Sequence, residues 1–194
     1  MAAIARESLL PLEAYARERN AFRARVMAHK RLRTLHLGEH LTLIFEDELT
    51  IRYQVQEMLR IERIFEEAGI RGELDAYNPL IPDGANWKAT MMIEYPDPAE
   101  RARRLAELRG IERLVWVQAG SLPRVHPIAD EDLERENEEK TAAVHFLRFE
   151  VSAAMRAALA GGARLALGVE HSAYRAVLDP VPAAVRDSLA GDLA

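Results

Sequence analysis

The chain has 194 residues, 49% apolar and 29% charged, with a net charge of −5 and no cysteine. This length allows one large domain or two small ones, burying roughly 70% of the unfolded surface without covalent staples. The missing cysteine excludes disulfides, protein-ligated iron–sulfur clusters, thiolate zinc sites and cysteine nucleophiles. The acidic balance argues against general nucleic-acid affinity, and no apolar run approaches the ~18 residues of a membrane span.

Residues Met1 to Arg33 carry eight basic side chains against three acidic. Charge interrupts this segment before any signal-like apolar run, so a cytoplasmic protein is expected. From Leu12 to Arg33, Tyr15, Phe22 and Val26 recur at helical spacing, with Pro11 suited to a first helical position, which predicts a basic first helix. Gly38 ends it, and "HLTLIFE" then alternates, sending Leu41, Leu43 and Phe45 to one face and His40, Thr42, Ile44 and Glu46 to the other. A second helix is expected to begin after Asp47 or Glu48 and run to Glu67 or Ala68, stopped by Gly69 and burying Met58, Ile61 and Phe65. "GELDAYNPLIPDGAN" reads as a loop that packs back on the body through Leu74, Tyr77, Leu80 and Ile81.

"WKATMMIEY" reads as a strand, "PDPAERARRLAELRG" as a helix capped by Asp97, and "IERLVWVQ" as a strand. A polar connection from Ala119 to Thr141 follows, and Ile128 to Lys140 carry seven acidic residues against two basic. Its Asp130 to Glu139 part is expected to be the most mobile internal segment, because it is charged and poor in apolar residues. "AVHFLRF" is a strand, "SAAMRAALAGG" a helix capped by Ser152, "ARLALGVEH" a strand, and "PVPAAVRDSLAGDL" a closing helix. This order predicts a single α+β domain, with an N-terminal helical part (1–86) and a sheet-forming part (87–194) built as a split βαβ, ferredoxin-like layer. Trp87 to His171 should then form one sheet.

The phrases "LPLEAYARERNAFRARV", "HLTLIFEDELTIRYQVQEMLRIERIF", "ELDAYNPLIP", "MMIEYPDPAERARRL", "GIERLVWV", "AVHFLRF" and "LALGVEHSAY" together resemble an uncharacterised bacterial family, the domain of unknown function DUF3501. The likeness runs over nearly the whole chain and carries no established catalytic residue with it. It implies a redox setting, since the family's genes often lie beside rubrerythrin and an iron–sulfur, heterodisulfide-reductase-like protein. A chain without cysteine fits that setting as a protein partner, with redox chemistry left to the partner or to a bound cofactor. The residues themselves point to no cofactor.

Two polar residues, Gln54 and Glu57, fall within or beside the apolar arc of the second helix. A buried amide or carboxylate needs partners, and Arg60, one turn beyond Glu57, together with Tyr77 or Asn78 could supply them. Gln54, Glu57, Arg60, Glu62, Tyr77 and Asn78 therefore either line a binding pocket or tie the "LDAYN" loop to the helix. An alternative reading gathers His40, His145 and His171 with Glu57 or Glu62 as metal ligands. "HLGEH", with His36 and His40, lacks the helical spacing of a zinc motif because Gly38 breaks it. The basic first helix, with Arg19, Arg23, Lys30, Arg31 and Arg33, comes with no aromatic platform for nucleic acid and suits a solvated or partner-facing surface, including that of a homodimer. The expected function is that of a non-catalytic accessory or binding protein; the alternative is a metal-binding protein or metalloenzyme.

Overall fold

The computed structural model describes residues 3–131, 135 and 139–194. Expectations for the acidic stretch from Asp130 to Glu139 fall largely outside them, on residues 132–134 and 136–138.

The fold is α+β. Helix α1 (Leu12–Lys30) stops one turn short of the expected end, and the next residues form a strand, β1 (Thr34–Leu37), which turns at Gly38 into β2 (Leu41–Phe45). Gly38 has φ 69°, a left-handed conformation that glycine adopts without a side-chain clash. Helix α2 (Glu48–Ile61) starts in a capping box: Asp47 accepts from the Thr50 amide while the Thr50 hydroxyl receives the Asp47 amide.

The expected continuation of α2 to Glu67 or Ala68 is corrected. It ends at Ile61, where Arg63 takes φ 55° and the Ile64 amide reaches back 2.9 Å to the Leu59 carbonyl. This is a Schellman turn with arginine where glycine usually stands, so no glycine signal marks it. A separate helix α3 (Glu67–Tyr77) then runs through Gly69 and the first six residues of the stretch read as loop. In consequence Ile61 and Phe65 are 60% and 69% exposed rather than buried. The buried row is Ile51, Val55 and Leu59, which packs with Ile70, Leu74 and Ile81 into a second, smaller core. The expectation that the "ELDAYNPLIP" region packs back on the body holds.

Strand β3 (Asn86–Ile93) leads to helix α4 (Pro98–Glu107), capped by Asp97, and then to β4 (Val115–Ala119). After the short β5 (Ile128–Ala129) come β6 (Val144–Glu150), helix α5 (Ala153–Ala160) capped by Ser152, β7 (Leu165–His171), β8 (Tyr174–Leu178) and helix α6 (Ala183–Ala190). The single split βαβ sheet is not what forms. β1, β2, β3, β6 and β5 make one antiparallel sheet, in the order β1-β2-β3-β6-β5, and β4-β7-β8 make another. Helices α4 and α5 each carry the chain from the first sheet to the second instead of returning it beside its own strand. The two sheets share one core, in which Phe45, Trp87, Met91 and Phe149 meet Val117, Leu165 and Leu167. The Tyr174 hydroxyl of β8 donates to the Leu37 carbonyl of β1 at 2.6 Å, linking the sheets at one edge.

Gly168 of β7 stands opposite Trp116 of β4, and a Cβ there would lie 2.3 Å from the indole. Trp116 is buried, with Arg124 stacked 3.9 Å above its ring. Gly168→Ala should therefore displace the indole and destabilise by roughly 1–3 kcal/mol, the range for overpacking a filled core. Urea denaturation tests this, and an unchanged midpoint would contradict the packing.

Candidate functional site

Side chains alternate across a strand, so in the five-stranded sheet Leu43, Met91 and Leu147 face the core while Ile44, Thr90, Met92 and Phe146 face the other way. The register sets these four together: Ile44 opposite Thr90, Thr90 opposite Phe146, and Met92 opposite Val144. Helix α2 and the turn after α3 cover this second face incompletely. A cavity of about 260 Å³ remains over it, bounded by Gln54 and Tyr77 on the helical side and by Lys30 at the end of α1. A neighbouring cavity of about 300 Å³ lies toward Lys88 and Arg148, and the two share Glu46, Leu80 and Phe146 as walls.

Glu46 is the polar centre of this groove. It follows β2 on the outward phase of the alternation and is 8% exposed. One carboxylate oxygen accepts from the Thr50 hydroxyl at 2.5 Å and the other from the Thr90 hydroxyl at 2.7 Å. No arginine, lysine or histidine among the described residues pairs with it. In the neighbouring cavity the cations are engaged: Lys88 donates to the Pro79 carbonyl, and Arg148 makes two 2.7 Å bonds to Glu131 and pairs with Glu150. Burial, with Arg148 adding to it, pulls the Lys88 ammonium below its usual range. Outward alternation in "HLTLIFE" and "WKATMMIEY" placed Glu46, Lys88 and Thr90 on one phase, the signal from which the groove could have been suspected.

The candidates named from sequence separate. Gln54 and Tyr77 come together in the groove wall, and neither side chain makes a hydrogen bond among the described residues. The buried polar residue of α2 is instead Gln56, 2% exposed, whose amide brackets the Leu10 backbone at 2.8 and 3.3 Å. Glu57 is held by Arg19 at 2.8 and 2.7 Å, by the Tyr15 hydroxyl at 2.8 Å and by Arg60 at 3.2 and 3.1 Å. The Arg60 pairing is as expected, but the network is completed by α1 rather than by Tyr77 or Asn78. Hydrogen bonds from Arg19 above all, with Arg60 and Tyr15, hold the Glu57 carboxyl at a pKa of about 2 against the opposing effect of burial. Burial and the adjacent carboxylate push the Tyr15 hydroxyl up. Asn78 pins the N-terminal segment, bonding the Ile4 amide at 2.8 Å and its carbonyl at 3.2 Å. Glu62 is exposed at the end of α2.

The histidines do not converge, and among the described residues no three carboxylates or histidines are grouped to hold a metal ion. His40 sits in the β1–β2 turn, stacked 4.0 Å from Tyr95, and His36 contacts the Thr42 hydroxyl at 3.0 Å. His171 lies 3.1 Å from the Arg109 carbonyl. His145 stands 2.6 Å from Asp130 and 2.9 Å from the Thr141 hydroxyl, an order that imitates a nucleophile triad. Thr141 is 1% exposed, and the same ring nitrogen faces the Ala142 carbonyl at 3.0 Å, which can only accept. With its hydroxyl enclosed, Thr141 offers no access to a substrate.

A family model described as "Protein of unknown function (DUF3501)" matches residues 3–193. A crystal structure at 1.90 Å resolution of a novel protein of unknown function from Burkholderia pseudomallei K96243 is 53% identical, covers 100% of each chain and superposes with a TM-score of 0.95. No curated protein matches.

Proposed function

The chain belongs to the DUF3501 family of proteins of unknown function, and from that premise we propose that it is a non-catalytic binding protein whose ligand occupies the groove between the five-stranded sheet and helix α2. One observation carries this reading: the outward sheet face is apolar at Ile44, Met92, Val144 and Phe146 yet left partly uncovered, with polar groups of Glu46, Gln54 and Tyr77 converging on it. Concave apolar sites with a few convergent polar groups are the usual form of small-molecule sites. In this reading the protein acts in the cytoplasm as an accessory to redox proteins, the setting that the family resemblance implies. Having no cysteine, the chain leaves electron transfer to its partner or to a bound cofactor.

The test is titration with N-phenylnaphthylamine, a neutral apolar probe that brightens on leaving water. Saturable binding is expected, and Val144→Trp, whose indole would fill the groove from its 39% exposed position, should abolish it with the circular dichroism spectrum unchanged. Binding that is absent from the parent protein, or unaffected by Val144→Trp, would overturn the proposal. Gln54→Leu should be neutral or stabilising, within about 0.5 kcal/mol, since no hydrogen bond is lost. A drop of several degrees in Tm would show instead that Gln54 is a structural tie.

A further inference from the structure

We propose that the ligand of this groove is a small zwitterion, an ammonium and a carboxylate carried on an apolar body, an inference that rests on the binding reading above. Two charges of opposite sign line the same cavity, Glu46 and Lys30. Neither forms an ion pair among the described residues, with each other or with any third group. Glu46 is the more demanding of the two. Its carboxylate is withdrawn from water and held by two neutral threonine hydroxyls, which orient it but supply no positive charge. A carboxylate oxygen can accept more than one hydrogen bond, so a ligand ammonium can complete its set without displacing Thr50 or Thr90.

Lys30, half-buried as the last residue of α1, presents the opposite charge to the same space. A cation alone would satisfy Glu46 and leave Lys30 at the rim without a partner, and an anion alone would cover Glu46 with apolar surface and no counter-charge, where an unpaired charge is costly. A zwitterion satisfies both. The floor of the same cavity is Ile44, Met92, Val144 and Phe146, which calls for apolar surface. The Gln54 amide and the Tyr77 hydroxyl can each donate to a carboxylate or accept from an ammonium. A cavity of about 260 Å³ is smaller than the roughly 300–1,000 Å³ typical for drug-sized ligands, which suits a molecule the size of an amino acid. In the adjoining cavity Arg148 is paired with Glu131 and Glu150, and Lys88, bonded to the neutral Pro79 carbonyl, has the charges of Glu131 and Asp83 near it.

The experiment is competition against N-phenylnaphthylamine. The competitors are leucine, whose charges share one carbon, ε-aminocaproate, whose charges are separated by an apolar chain, and the singly charged hexylamine and caproate. At least one zwitterion should displace the probe at a concentration about tenfold or more below either singly charged compound. Glu46→Gln should weaken that zwitterion and hexylamine more than caproate, and Lys30→Met should weaken the zwitterion and caproate more than hexylamine. Lys30 is on the rim, so this second variant keeps the test open if Glu46→Gln disturbs folding. If the probe binds but neither zwitterion competes better than the singly charged compounds, the inference fails and the groove reading stands. If the probe does not bind, both fail.

Discussion

Arg33→Met should lower stability by roughly 3–5 kcal/mol, the cost of removing one partner from a buried charge cluster. Arg33 is 1% exposed. Its guanidinium donates to the Phe45 carbonyl at 2.8 Å and the Glu46 carbonyl at 3.1 Å, pairs with Asp192 and lies 3.5 Å from Asp47. It thus joins the end of α1, the end of β2, the cap of α2 and the chain after α6. Methionine has similar length and no donor, so it would leave two carbonyls and the Asp192 carboxylate buried without their partner. Asp192 already bears the strain of this position: burial pushes its carboxyl up, although Arg33 pulls the other way. Asp192→Asn, which keeps an acceptor toward Arg33 and removes the buried negative charge, should therefore be the milder change. At ~2–4 °C per kcal/mol for a chain of this size, Arg33→Met should lower Tm by roughly 6–20 °C. A loss under about 1 kcal/mol in urea denaturation would contradict the assignment of Arg33 as the hub.

The second large effect is a dependence of stability on pH, set by Glu57. Its carboxyl is held at about 2 in the folded chain against an ordinary value of 4.5. A depressed carboxyl stabilises the fold fully above the ordinary value, and the contribution disappears as pH falls from about 4.5 toward 2. Its size is roughly 3 kcal/mol, at about 1.4 kcal/mol for each tenfold change in proton affinity. Glu57→Gln removes the titration and leaves Arg19, Arg60 and Tyr15 facing a neutral amide. The stability gap between the parent protein and Glu57→Gln should be about 3 kcal/mol at pH 6 and should narrow steadily below pH 4.5. Chemical denaturation at a series of pH values measures it. A gap that stays constant down to pH 2.5 would mean that Glu57 is not the carboxylate responsible.

These two residues also mark what could be read from the chain and what could not. Local patterns were legible because their causes are local. Period-two alternation announced β2, β3, β6 and β7, Asp97 and Ser152 announced helix starts through their own side-chain oxygens, and the polarity of Glu57 announced a buried network on α2. The end of α2 was not legible, because its left-handed cap is Arg63 and nothing about an arginine favours that conformation. Nor were two of the three partners of Glu57, since Tyr15 and Arg19 come from a helix about forty residues earlier in the chain. The identity of the buried amide turned on the same point. Which of Gln54 and Gln56 is enclosed depends on how many neighbours surround α2, and α1, α3 and the N-terminal segment all pack on it. The order strand, helix, strand is shared by a crossover within one sheet and by one between two sheets, so the sequence by itself determined the longer strands, the helices other than α3 and the α+β class. Only the tertiary structure decided that α4 and α5 bridge two sheets and that one face of the larger sheet is left partly open, because each outcome depends on which distant apolar surfaces meet to exclude water, and no local pattern encodes that meeting.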